Sequence, residues 1–221
     1  MKEHIYNDNI GFVEYVNHMG DDLSVVNSAR VSFGKHKDEL DEKDKKLIKY
    51  LIKNRHTSTL EHCTVTFRFK VPLFVRSQHH RHRTWSYNEV SRRYTSENIQ
   101  FYTPETFYKQ HKVNRQASAE ASVEKQELNI YVFEAAYRSG YAAYRELIRN
   151  GVSREQARMI LPQNLYTEYY GTVNLSNLLK FIDLRLDSHA QYEIQVVAQA
   201  CLNIAAGLFP ETVKAWKEIK E

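Results

Sequence analysis

Apolar residues recur at two different spacings along the chain, and each spacing predicts a different element. In residues 64–71 apolar and polar side chains alternate strictly, which predicts a strand with one buried face. Its apolar members are Val65, Phe67, Phe69 and Val71. In residues 43–54 the apolar positions have the spacing of one helical face, which predicts a helix. The residues on that face are Leu47, Ile48, Leu51 and Ile52. Residues 11–20 carry a weaker pattern that favours a second strand.

Breaker residues divide the rest of the chain. Pro72 is expected to end the strand. It is also the first residue of PLFVRSQHHRHR, a segment that predicts a helix with proline at its first position. Asn150-Gly151 stops a long helix over 122–151. Residues 153–162 predict a helix that Pro162 ends, and residues 174–209 predict two more, the second with an apolar face. Residues 97–118 show no regular pattern.

Two pairs have the spacing of a capping box, in which a first-turn side chain reaches back to the helix start. They are Ser58 with Glu61, and Ser153 with Gln156. Together with 42% apolar composition in 221 residues, these elements predict a helix-rich α/β (α+β) chain that folds as a single domain over 1–221.

The distribution of positive charge points to a function, because the excess is concentrated in one segment. Residues 68–94 hold seven of the 31 basic residues and only one acid, Glu89. The remainder has 24 basic and 26 acidic residues. Such a local excess of cations favours one anion-binding site over a generally basic protein.

The cysteines and the N-terminal residues indicate in which compartment the protein is expected to work. Cys63 and Cys201 alone provide neither a metal-ligand spacing nor a disulfide framework. The first ten residues lack an apolar signal core, and no apolar run approaches the ~18 residues of a membrane span. These features predict a reduced, cytoplasmic protein that binds no metal and no membrane.

The most unusual stretch is RHRTWSYNEVSRRY, residues 81–94. A solvated basic face is the ordinary explanation of such a run. Aromatic residues among arginines also suit single-stranded nucleic acid, but the acidic balance of the remaining chain argues against a nucleic-acid partner. Arginine forks match phosphate and stack on rings, so the segment favours a site for small planar anions.

This segment resembles the signature of flavin-dependent thymidylate synthases, R-H-R-x-x-S-x-N-E-x-S-x-R-Y, at nine positions. Three further segments resemble that family in the same order: HTSTLEH at 56–62, ARMILPQNLYT at 157–167 and NLSNLLKFIDLRLDSHAQYEIQ at 174–195. The resemblance implies a central, mainly antiparallel sheet flanked by long helices. It also implies a homotetramer with active sites shared between subunits.

The same resemblance implies reductive methylation of dUMP to dTMP. 5,10-Methylenetetrahydrofolate gives the carbon, and FAD reduced by NADPH supplies the hydride. The implied FAD contacts are His56, Ser58, Arg81, His82, Arg83, Glu89, Asn174 and His189. The implied dUMP contacts are Gln78, Arg81, Glu89, Val90, Ser91, Arg92, Arg93, Arg158 and Arg185.

Two of these residues are implied to be catalytic. Arg185 matches the arginine that faces the uracil, where a guanidinium stabilises negative charge and raises electron density at C5. Ser91 matches a serine once proposed as a nucleophile, but a hydroxyl without an adjacent base is a weak one, so a phosphate or ring ligand is the favoured role. Both cysteines are predicted to be dispensable.

Other positions admit two interpretations or depart from the family. His189 is either a flavin contact or an ordinary polar residue at a helix start, while His79 and His80 are predicted bystanders. Ser176 and Lys180 stand where many family members have arginine and asparagine. Since Ser176 offers no cation, the contacts to the flavin phosphates at that end are expected to be weaker or supplied by other residues.

Overall fold

The strand predicted by alternation lies at the centre of a five-stranded antiparallel sheet. The computed structural model describes residues 1–114 and 117–220. The strands are β1 Lys2–His4, β2 Phe12–Met19, β3 Thr64–Pro72, β4 Ser86–Glu89, β5 Tyr108–Gln110, β6 Ser118–Ser122 and β7 Tyr166–Asn174. The sheet order is β1-β2-β3-β7-β4, and β5 and β6 form a separate hairpin.

Helices surround this sheet. They are α1 Asp22–Arg30, α2 Glu42–Lys53, α3 Leu73–His79, α4 Gln126–Arg149, α5 Arg154–Ala157, α6 Leu175–Arg185, α7 Tyr192–Leu208 and α8 Pro210–Lys220. Short 3-10 turns lie at Val31–Phe33, Thr57–Leu60 and Arg158–Ile160. Within the described ranges, no helix has the length and hydropathy of a membrane span. The predicted fold class, an antiparallel sheet flanked by long helices, is confirmed.

The hydrophobic pattern explains why the core forms on one side of β3. All four alternating side chains of β3 are fully buried, and α7 adds Ile194, Val197, Cys201 and Ile204. Burial of a side chain of this size stabilises the fold by about 1.5–3 kcal/mol. The sheet and α7 therefore form the rigid base on which the basic segment rests.

Several local predictions were wrong in detail. The turn at Thr57–Leu60 starts from His56, which makes no side-chain cap, so Ser58 lies inside it. Ser153 precedes α5 but likewise makes no capping hydrogen bond. In both cases the capping-box spacing was present without the local geometry that a capping box needs. Pro72 is the last residue of β3 and the N-cap of α3, so the helix begins at Leu73.

Two further differences concern the extent of elements. Helix α3 ends at His79, so the arginine-rich residues that follow lie in a turn and not in a helix. The segment 97–118, predicted to be irregular, contains β5; its positions 115 and 116 lie outside the described residues. Strands β1, β4 and β7 of the sheet, and β6 of the hairpin, were not predicted.

Candidate active site

Strand β4 and the residues after it form one wall of a cleft of about 460 Å³. Five of the predicted dUMP contacts line it, together with Arg76 from α3. The five are Glu89, Val90, Ser91, Arg92 and Arg158. Antiparallel pairing of Glu89 with Tyr169 of β7 fixes where this wall begins. We call this cavity the nucleotide cleft.

The carboxylate of Glu89 is held from two sides. Arg76 Nε lies 3.2 Å from Glu89 Oε1, and the Thr167 hydroxyl donates to the same oxygen at 2.6 Å. Arg76 was missed by the sequence reasoning, although it stands two residues before the predicted contact Gln78 on α3. Its pairing neutralises Glu89 and leaves the other cations of the cleft without a carboxylate partner there.

Arg92 is built into the cleft wall. Its guanidinium donates to the carbonyl oxygens of Glu97 and, at 3.3 Å, Asn98. Burial lowers its pKa from the usual value. These bonds fix the loop after β4 and keep a positive charge at the cleft that no described carboxylate neutralises. Arg93, by contrast, turns to Glu155, 3.5 Å away.

Among the described residues, no base lies beside the Ser91 hydroxyl. Its Oγ accepts from the Arg93 backbone N–H at 3.2 Å, and within the described part of the chain no imidazole or carboxylate is hydrogen-bonded to it. The Ser91 carbonyl accepts from Tyr94 and Thr95, which closes the turn. This geometry favours a ligand role over a nucleophilic one.

Arg185, the last residue of α6, meets the turn that follows α3. Its Nε donates to His82 Nε2 at 3.0 Å, and its Nη2 donates to the Gln78 carbonyl at 3.3 Å. The Gln78 side chain donates to Gln191 Oε1 at 2.6 Å. Two segments that are about 100 positions apart in sequence therefore meet at this guanidinium, and the Gln78–Gln191 bond joins them a second time.

His82 is neutral in this arrangement. Burial, followed by the charge of Arg185, lowers its pKa to about 4. Because its Nε2 accepts from Arg185, the single ring proton sits on Nδ1. A neutral imidazole can orient the guanidinium without repelling it.

Hydrogen bonds from Tyr87 of β4 fix the turn that presents Arg81, His82 and Arg83. The Tyr87 hydroxyl is bonded to the carbonyl oxygens of His79 and His82, at 3.0 and 3.2 Å. His79, predicted as a bystander, is fully buried, and its Nδ1 lies 2.8 Å from the Tyr169 hydroxyl. Desolvation by burial keeps the pKa of His79 well below its usual value, so it packs as a neutral core residue.

Close packing continues under this turn. A Cβ at Gly171 of β7 would lie 3.0 Å from the Phe69 ring and 3.2 Å from the Trp85 ring, which is tighter than nearly all real contacts. Glycine therefore allows β7 to pass directly against Trp85. Above it, the side chains of Arg81 and Arg83 are exposed and form no ion pair or hydrogen bond with a described residue.

The remaining predicted flavin contacts lie elsewhere. His56 and Ser58 line a groove of about 890 Å³ between α1 and α2, which shares no lining residue with the nucleotide cleft. Asn174 caps α6 by accepting from the Asn177 N–H at 2.9 Å. Ser176 is buried, and its hydroxyl has no hydrogen-bond partner among the described residues.

His189 lines a third cavity, of about 560 Å³, which shares Gln163 with the nucleotide cleft. Its Nδ1 lies 2.9 Å from Asp187 Oδ1, and the hydrogen bonds that Asp187 receives from His189 lower the pKa of this carboxyl group. The ring is exposed, with a side-chain relative accessibility of 66%.

Both thiols are fully buried and lie away from these cavities. Cys63 Sγ donates to the Asp21 carbonyl at 3.6 Å. Burial, with the nearby Asp21 and Asp22 charges, raises the pKa of Cys63 to about 12, and burial raises that of Cys201 well above its usual value. Both therefore remain protonated at neutral pH. Across the described ranges, no three His, Cys, Asp or Glu residues converge as a metal site requires.

Comparisons with known proteins agree on one family. A family model described as thymidylate synthase complementing protein matches residues 14–211. A flavin-dependent thymidylate synthase of Thermus thermophilus is 44% identical over 94% of this chain and 76% of that protein. One from Kosmotoga olearia is 44% identical over 93% of this chain and 90% of that protein. A crystal structure of the UMP/dUMP methylase PolB from Streptomyces cacaoi, bound with 5-Br dUMP, has a TM-score of 0.86 at 34% identity, covering 93% of this chain and 94% of that chain.

Proposed function

Because this chain belongs to the flavin-dependent thymidylate synthase family, we propose that it methylates dUMP reductively to dTMP. 5,10-Methylenetetrahydrofolate provides the carbon in this proposal, and bound FAD, once reduced by NADPH, provides the hydride. The observation that carries the proposal is the Arg185–His82 pair: an oriented guanidinium in a protein whose thiols are buried and protonated. Residues 1–221 act as one domain in this account.

The nucleotide cleft suits the phosphate of dUMP. Arg92 and Arg158 present positive charge there, while Arg76 already neutralises Glu89. Guanidinium forks match phosphate oxygens, and charge-assisted hydrogen bonds are among the strongest available. In this proposal the other nucleotide contacts are Gln78, Val90, Ser91 and Arg93, with Ser91 as a ligand.

Arg185 supplies the activation of the ring. Its Nε is occupied by the neutral His82 and one Nη by the Gln78 carbonyl, so the group is fixed in direction before any substrate arrives. Fixed positive charge stabilises the anion that forms as uracil N3 loses its proton. The added electron density reaches C5, which can then accept the one-carbon unit without a covalent bond to a thiol.

The turn that carries Arg81 and Arg83, and the groove between α1 and α2, offer the groups that a flavin dinucleotide needs. Arg81 and Arg83 carry charge that no described side chain neutralises, as a pyrophosphate requires. His56 and Ser58 contribute a ring and a hydroxyl to the groove, and Asn174, His82, Glu89 and His189 complete the proposed flavin contacts. Arg81 serves both ligands in this proposal.

We also propose that the protein assembles as a homotetramer. Helix α4 is 24 residues long, yet it buries only Tyr144. Its exposed apolar side chains include Leu128 at 53%, Tyr131 at 70% and Val132 at 58%. Association of copies through this face would bury these side chains, and light scattering during gel filtration would measure the assembly.

A nucleic-acid partner is disfavoured by how the basic segment is used. Arg68 pairs with Glu14 at 3.3 Å and Glu168 at 2.6 Å, and Arg76 pairs with Glu89. The seven basic residues of this segment therefore do not form one open cationic face. The two free cysteines support a reducing compartment, and we propose the cytoplasm.

The test is tritium release from C5-labelled dUMP. We expect release, with formation of dTMP, only when FAD, NADPH and methylenetetrahydrofolate are all present. Omission of each in turn should stop dTMP formation. A colourless protein that makes no dTMP but binds oligonucleotides with a steep salt dependence would refute the proposal.

A further inference from the structure

The groove between α1 and α2 has one cation with an unusual backbone. Arg55 follows the C-cap of α2 and has φ +57. Its N–H bonds to the Ile52 carbonyl at 3.0 Å, and the His56 N–H bonds to the Leu51 carbonyl at 2.8 Å. This is the Schellman motif, in which the left-handed residue is usually glycine because a Cβ costs free energy there.

Within residues 1–114 and 117–220, no contact of the Arg55 side chain compensates for that cost. It is exposed, and it makes no hydrogen bond or ion pair with any residue of 1–114 or 117–220. The other arginine of the groove, Arg30, is committed: its guanidinium pairs with the fully buried Asp44. Arg55 is therefore the groove cation that remains available to a ligand.

The groove has the shape and chemistry for a planar anion. Leu47 and Leu51 contribute apolar surface, and the Tyr50 ring meets the His56 ring edge-on at 5.7 Å. An apolar floor with rings suits a flat heterocycle, while a free guanidinium at the same groove suits a phosphate.

The second observation concerns Ser176, which stands where many members of the family have an arginine. The side chain at that position is buried and uncharged, so it supplies no partner for a phosphate. Resting on the function proposed above, we infer that Arg55 binds the pyrophosphate of FAD and supplies the positive charge that Ser176 does not. The left-handed backbone at Arg55 closes the end of α2, whereas its guanidinium, which a glycine would lack, serves this contact.

Substitution by glycine separates the two roles of Arg55. Arg55→Gly removes the guanidinium and also relieves the backbone, so folding and flavin binding should respond differently. Lys125→Gly is the matched control: Lys125 has φ +56, is exposed and precedes α4 outside the groove. We expect neither variant to lose thermal stability.

The measurement is the dissociation constant of the flavin-free protein for FAD and for riboflavin, which has no phosphate. For Arg55→Gly we expect FAD to bind about tenfold more weakly, the effect of one charge-assisted contact, with riboflavin unchanged. Arg55→Lys should retain part of the affinity, and Lys125→Gly should match the wild type for both ligands.

Three results would overturn the inference. Unchanged affinity of Arg55→Gly for both FAD and riboflavin would remove the phosphate contact while leaving the proposed function intact. Equal weakening of FAD and riboflavin would assign Arg55 to the shape of the groove. If the wild-type protein bound no flavin and made no dTMP, the proposed function would fail as well.

Discussion

The Arg185 guanidinium and the two cysteine thiols lie in opposite surroundings. Arg185 is half-buried at the end of α6, where a neutral imidazole and a carbonyl fix its direction. Cys63 and Cys201 are sealed in the core with raised pKa values. Surroundings, and not residue type, decide which group can act on a substrate. The thiols contribute to packing, and the guanidinium is left to polarise the pyrimidine.

Substitution of Arg185 is expected to have the largest effect on activity. Loss of one oriented group that stabilises developing charge typically lowers kcat by about 100- to 1,000-fold, and we expect Arg185→Ala to fall in that range. Turnover of dUMP under saturating FAD, NADPH and folate measures it. Arg185→Lys should recover little, because a single ammonium nitrogen does not reproduce the separated Nε and Nη donors of the planar guanidinium.

The nucleotide cleft sharpens the comparison with a cation that binds but does not activate. Arg158→Ala should weaken dUMP binding by about 10- to 100-fold, the value of a charge-assisted contact to phosphate, with a smaller effect on kcat. Arg154→Ala is the control, since Arg154 donates to Ser96 and does not line the cleft. Equal losses in both variants would remove Arg158 from the site.

Acidification tests the neutral state of His82, with the smallest effect. The folded pKa of about 4 lies below the usual 6.5, so between these values the unfolded chain binds the proton that the folded one excludes. The free energy of unfolding must therefore fall as the pH is lowered from about 6.5 to about 4. Urea denaturation across this window should show a shallower fall for His82→Gln than for the wild type.

Two outcomes frame that experiment. His36→Gln, at a side chain 74% exposed, should follow the wild-type pH dependence. If His82→Gln also followed it, the imidazole would not be held neutral by burial and Arg185, and the orientation argument would lose its basis.

The sequence was most informative where pattern and structure share a simple period. The alternation in β3 predicted a strand and its buried face, and Asn150-Gly151 correctly marked the end of α4, with Gly151 at φ +82. Strand β7 escaped prediction because tyrosines with both apolar and polar parts blur the alternation of YTEYYGTVN. Local spacing alone also proposed two capping boxes that the backbone does not form.

Within the site, a linear motif identifies residue types but not their partners. The sequence predicted Glu89 and Arg158, and the structure brings both to one cleft. It did not predict that Arg76 pairs with Glu89, since 13 positions separate them and α3 must fold back to bring them together. Nor did it predict that His79 is a buried support, because burial depends on the surrounding aromatic residues.

The most direct test of the account is tritium release from C5-labelled dUMP by the variant Cys63→Ala/Cys201→Ala. Folding is verified by circular dichroism and by bound flavin, and the single variants serve if the pair proves unstable. We predict release at close to the wild-type rate, since neither buried thiol reaches the substrate. Abolished release in folded, flavin-loaded protein would contradict activation of the ring by Arg185 without a thiol.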